Sequence, residues 1–200
     1  MPTRPKSLLQ LAGASNHPSP LDVSALLLID HQMEYVSGNV PLVGIGGAVD
    51  EARAMLSLAR ARQTPVFHIV HHGRPGGALF NPQGPFVEII PDLAPRAGEA
   101  VVIKTLPNAF AGTELHAKIQ ETRRKELIVI GFATHMCVSA TVRAALDLGY
   151  RSTVVANATA TRDLPDPLGG VISAASLQRA ALAALADRFA VVVSNSAVWT

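Results

Sequence analysis

The stretch LIVIGFATHMCVSATVRAALDLG, residues 127–149, passes from strand through turn to helix. Leu127–Ile130 is a short uninterrupted apolar run, as a strand covered on both faces requires. From Met136 to Leu148 the apolar residues take helical spacing. Val138, Val142 and Ala145 fall on one face, and Gly149 supplies the C-terminal stop. Further apolar runs are Ala25–Ile29, Val66–Val70, Val101–Ile103, Thr153–Ala156 and Ala190–Val193. Helical, Ala/Leu-rich segments alternate with them at Ala48–Arg62, Glu114–Arg124 and Ala174–Arg188, with Thr113 and Ser173 as N-cap candidates. This alternation predicts an α/β protein: a three-layer α/β/α, Rossmann-like fold around a central, mainly parallel sheet. Residues 1–22, punctuated by Pro18 and Pro20, read as an arm leading into a single domain at 23–200. Gly73–Pro85 and Arg162–Gly170 read as long loops at one edge of the sheet.

Composition bounds the function. Of 200 residues, 48% are hydrophobic and 16% charged, which excludes a disordered chain. Aromatics are only 4%, so Ala, Val, Leu and Ile must build the core. A net charge of +2 argues against nucleic acid as a partner, and Arg123-Arg124-Lys125 reads as a solvated helix end. No apolar stretch approaches the ~18 residues that cross a bilayer. Leu8-Leu9-Gln10-Leu11 is shorter than the ~7–15 residues of a signal-peptide core. The expectation is a cytoplasmic protein with no membrane partner. The single cysteine excludes an internal disulfide and a multi-cysteine zinc site.

In open α/β sheets ligands bind beyond the carboxyl ends of the strands. The residues there are Asp30, His71, His72, Lys104, the turn Gly131–Cys137, and Asn157. Cys137 opens the helix after its strand, where the helix dipole lowers a thiol pKa and free N–H groups can hold an oxyanion. A lone cysteine is otherwise an ordinary small buried hydrophobe. Asp30 is placed to act as a general base for that thiol, or simply to cap its own turn. Lys104 can pair with Asp30, or stand solvated at a strand end. His68, His71 and His72 raise the question of a metal, but no Asp or Glu lies within that segment to complete a site, and the expectation is none. Gly44-Ile45-Gly46-Gly47 lacks the spacing of a phosphate loop.

Three motifs in order, Leu27-Leu28-Ile29-Asp30-His31-Gln32, Lys104 through Phe110, and Gly131 through Val138, resemble the isochorismatase-like cysteine hydrolase superfamily over residues 25–193. The resemblance implies a catalytic triad of Asp30, Lys104 and Cys137 acting without a cofactor on a small molecule. Cys137 would attack an amide-type carbonyl, with an oxyanion hole from the backbone N–H groups of Ala133 and Cys137 and a cis peptide at Phe132–Ala133. By analogy Gln32, Tyr35, Phe110, Thr134 and one of Phe80 and Phe86 would line the pocket. A homo-oligomer is implied as well. The metal motif of nicotinamidases is not reproduced, and Cys137 disfavours the vinyl ether hydrolysis of true isochorismatases. Asn108 and Asn157 also depart from the common pattern. The expected activity is hydrolysis of a C–N bond in an amide, cyclic amide or carbamoyl compound. The alternatives are vinyl ether hydrolysis, or a non-catalytic binding or scaffold protein of the same fold.

Overall fold

The structure is a computed structural model that describes residues 4–200. A short helix α1 (Leu8–Leu11) precedes β1 (Ser24–Ile29), α2 (Ile45–Ala61), β2 (Val66–His71), β3 (Ala100–Lys104), α3 (Leu115–Glu121) and β4 (Glu126–Phe132). Then come α4 (Ser139–Asp147), β5 (Arg151–Ala160), the small strands β6 (Leu164–Pro165) and β7 (Val171–Ile172), α5 (Ala174–Arg188) and β8 (Val191–Val193). Six strands form one sheet in the order β3-β2-β1-β4-β5-β8, every neighbouring pair parallel.

Each face of the sheet has its own core. α2 lays Ala52, Met55, Leu56 and Ala59 against Leu26, Leu28, Ile128 and Ile130. On the opposite face α3, α4 and α5 pack Leu115, Ile119, Val142, Ala145 and Leu185 against Leu27, Ile29, Leu127 and Val129. The expected three-layer α/β/α arrangement is therefore present. Central β1 is buried at all six positions, which is why its sequence is continuously apolar from Ala25 to Ile29. Edge strand β3 instead alternates, with Val101 46% and Ile103 55% exposed while Val102 and Lys104 point inward.

The chain winds outward from β1 through β2 to β3, then returns to place β4 on the other side of β1. That reversal creates the crevice where sheets of this kind bind ligands. Gly131 makes the two sides meet closely. Its φ is +140°, and a Cβ there would lie 2.2 Å from the Ile29 carbonyl oxygen. Only glycine fits this approach, and it brings the turn after β4 against the end of β1.

Several local expectations change. The helix expected at Met136–Leu148 is split into one π turn, Thr134–Val138, and α4, although Gly149 does end it with φ +83°. β5 runs on to Ala160, so Asn157 lies within an irregular stretch of that strand and not at its end. The loop at 162–170 contains β6, which pairs with β7 as a hairpin. Glu114, not Thr113, occupies the α3 N-cap, yet the Thr113 hydroxyl still accepts from Leu115 N. Ser173 caps α5 as expected. Gly44 is the N-cap of α2. Residues of the N-terminal arm lie against the domain: Leu8 N donates to Asp187 Oδ1, Ser19 N to Thr153 Oγ1, and Trp199 Nε1 to Ser19 O.

Candidate active site

β1, β3 and the turn after β4 each deliver one side chain to the crevice. Asp30 follows β1 in the left-handed region, φ 53°, a conformation Asp tolerates better than most residues. Lys104 ends β3 and is fully buried, as is Asp30; Cys137 is 3% exposed. The Lys104 ammonium lies 2.8 Å from Asp30 Oδ2 and 3.3 Å from Cys137 Sγ, and its third contact is His71 Nδ1 at 3.1 Å. The three donors of one ammonium thus tie together three strands and the turn.

Burial raises the Asp30 carboxyl pKa against the opposing pull of Lys104. Burial, followed by the Asp30 charge, pushes the Cys137 thiol up to about 12. This corrects the expectation that the helix dipole would lower it. The sulfur sits in a buried π turn beside a carboxylate, and desolvation outweighs the dipole. At rest the thiol keeps its proton and a basic carboxylate faces it.

The turn itself is anchored from β5. Thr134 Oγ1 donates to Ala160 O at 3.0 Å, and His135 Nδ1 lies 2.6 Å from Thr161 Oγ1. The Phe132–Ala133 peptide is cis. The Ala133 N–H faces the Tyr35 hydroxyl, whose pKa burial raises, so the phenol stays protonated. Tyr35 meets Phe80 edge-on at 5.1 Å and Phe132 at 5.9 Å. Of the two loop phenylalanines it is Phe80, with φ 49° and its N–H held by Glu34 Oε2, whose ring covers both Tyr35 and His71. Arg162 is half-buried, its charge reaches Tyr35 and His135, and it forms no ion pair among the described residues.

Two expected pocket residues are engaged elsewhere. The Gln32 amide is spent on backbone: Nε2 donates to His71 O and Val87 O, and Oε1 accepts from His71 N. It fastens the end of β2 to the long loop. Phe110 stacks on Tyr150, 5.9 Å away and 12° from parallel, ahead of β5 at the amino edge of the sheet. In the turn before it, Asn108 Oδ1 accepts from Phe110 N at 2.9 Å.

The histidines also part company. His68 bonds to Glu99 on the α2 face, while His71 reaches Lys104. Among the described residues no three His, Cys, Asp or Glu side chains converge as a metal site needs. Sequence reasoning did not foresee His71 as a partner of Lys104. The signal available was its place at the end of a strand adjacent to the one ending in Lys104.

A family model described as the isochorismatase domain matches residues 24–197. The chain belongs to the isochorismatase family. A solved isochorismatase structure from Pseudomonas putida KT2440 superposes with a TM-score of 0.92 at 43% identity, covering 96% of this chain and 98% of that one. The secreted isochorismatase effector Isc1 of Verticillium dahliae is 34% identical over 172 residues, 86% of this chain and 88% of that protein. The maleamate amidohydrolase of Pseudomonas putida is 31% identical over 150 residues, 66% of this chain and 69% of its own. The isochorismatase family is one of hydrolases, with amidohydrolases among its members.

Proposed function

We propose that this family member is a cysteine-dependent amidohydrolase that cleaves a C–N bond of a small amide or carbamoyl compound without a cofactor. The observation that carries it is the Lys104 ammonium shared between Asp30 at 2.8 Å and Cys137 at 3.3 Å in a buried crevice. The Asp30 carboxylate, its pKa raised by burial, meets the Lys104 ammonium at Oδ2 and faces the Cys137 thiol, so it is placed to accept the thiol proton.

In this mechanism Asp30 takes the thiol proton as Cys137 Sγ bonds to the substrate carbonyl carbon. The π electrons move onto oxygen, and the oxyanion is held by backbone N–H groups at Ala133 and Cys137. When the tetrahedral adduct collapses, the C–N bond breaks and the amine leaves with the proton from Asp30. Water then gives its proton to Asp30 and attacks the thioester. Collapse of that second adduct releases the acid and returns the proton to sulfur. Lys104 holds both acidic groups in place and offsets the negative charge that passes between them. Arg162, whose charge reaches Tyr35 and which forms no ion pair among the described residues, favours a substrate that carries negative charge.

The test is product release from nicotinamide, N-carbamoyl amino acids, cyclic amides and isochorismate, comparing wild type with Cys137→Ala. Turnover of an amide by wild type alone supports the proposal, and undiminished turnover in Cys137→Ala overturns it. Two relatives named as isochorismatases support a second activity, vinyl ether hydrolysis, which the isochorismate arm separates.

A further inference from the structure

His71 is held more firmly than a pocket wall requires. It is the register partner of Lys104 across the β2–β3 pairing, and the Gln32 side chain binds both its N–H and its carbonyl. The Phe80 ring lies 5.0 Å from the imidazole and nearly perpendicular to it, so the backbone is held along one edge and the ring is packed.

Its tautomer is fixed as well. Lys104 Nζ stands 3.1 Å from Nδ1, and an ammonium can only donate, so Nδ1 accepts and carries no proton. Burial, then the charge of Lys104, lowers the His71 pKa to about 4, which keeps the ring neutral near pH 7. The one ring proton therefore resides on Nε2. That atom has no hydrogen-bond partner among the described residues, yet it is not one of the buried unsatisfied atoms. It stands open on the far side of the ring from the Lys104 ammonium, which also contacts Cys137 Sγ at 3.3 Å.

We propose that His71 is a specificity residue in contact with substrate: its Nε2–H, aligned by Lys104, donates to an acceptor oxygen, carbonyl or carboxylate, next to the bond under attack. This rests on the hydrolase function proposed above, since it places the substrate against Cys137. A site built to donate here discriminates against analogues that lack the oxygen, because the N–H would then be left unpaired. His68 on the same strand cannot serve this way, since its Nε2 is committed to Glu99.

The test needs no knowledge of the natural substrate. Iodoacetamide places an amide carbonyl on Cys137, whereas methyl methanethiolsulfonate adds only a methylthio group. In histidine-labelled protein, nitrogen NMR should find His71 with a bare Nδ1 and a protonated Nε2. Its Nε2–H signal should shift on carbamidomethylation and stay in place on methylthiolation. His71→Phe should slow iodoacetamide about tenfold more than it slows methyl methanethiolsulfonate, and His71→Gln, which both accepts and donates, should restore most of the difference. Thermal melts would show that both variants fold. A proton on Nδ1, the same NMR shift with both reagents, or equal slowing of both by His71→Phe overturns the proposal. Undiminished amide turnover in Cys137→Ala would instead overturn the hydrolase function and leave the His71 result standing.

Discussion

Two clusters, each with a cation and a carboxylate, sit on either side of β2, one half-buried and one fully buried, and they are built to opposite ends. On the α2 side Glu99 accepts from Arg60 Nε at 2.7 Å, from a second Arg60 nitrogen at 2.9 Å and from Arg96 N at 2.9 Å, with His68 Nε2 also at 2.9 Å. Burial alone would raise its pKa, but these donors outweigh it and hold the carboxyl at about 2. In the crevice, Asp30 has among the described residues the one cation Lys104, no backbone N–H donor, and a raised pKa. A carboxylate whose lone pairs are all taken is structural; one with lone pairs left open in a dry site can do chemistry. The two histidines of β2 repeat the contrast, His68 closed by Glu99 and His71 open at Nε2.

The largest expected effect is on turnover. Cys137→Ala should reduce it by about 10⁴-fold or more, and Asp30→Asn by about 10²–10⁴-fold, each with the fold intact by circular dichroism. Loss of activity from both variants sharpens the division, and residual turnover near wild type breaks it. Next comes stability. Lys104→Met strands a buried carboxylate and should cost about 3–5 kcal/mol in denaturant unfolding. Glu99→Gln should cost less, about 1–3 kcal/mol, and leave turnover within about twofold. A Glu99→Gln variant that folds normally but is inactive would show that the two clusters are coupled.

The pH dependence gives a subtler contrast. The Glu99 carboxyl is depressed from 4.5 to about 2, so its stabilisation is complete above its unfolded pKa and is lost as pH falls from about 4.5 towards 2. Thermal melts should therefore show wild type and Glu99→Gln converging as pH is lowered through that window. Asp30 has the opposite sign, since a raised carboxyl pKa makes protonation favour the folded state. The smallest effect concerns the resting thiol. With Cys137 pushed up to about 12, its iodoacetamide rate should still be climbing above pH 9. A plateau below pH 8 would mean a resting thiolate and would remove the need for Asp30 as base.

Much of this arrangement was legible before any coordinates. The six apolar runs and the helices between them depend on near neighbours in sequence, so periodicity exposed the layers and the strand ends. Asp30, Lys104 and Gly131–Cys137 stood out because a polar or glycine residue ended an apolar strand. Helix and strand limits were less legible, because the π turn at 134–138 and the irregular end of β5 answer to packing against each other. Gln32 and Phe110 looked like pocket residues by position, but backbone partners up to 55 residues away claimed the one and Tyr150 the other.

The sequence by itself determined the parallel α/β/α frame and which side chains end its strands, since both follow from local pattern and the alternation of elements. Only the tertiary structure decided that Lys104 reaches three partners, that His71 and not His68 joins them, and that Cys137 rests as a thiol. Those outcomes depend on burial and on distances between strands far apart in the chain, where desolvation and a single shared ammonium outweigh what each residue would do alone.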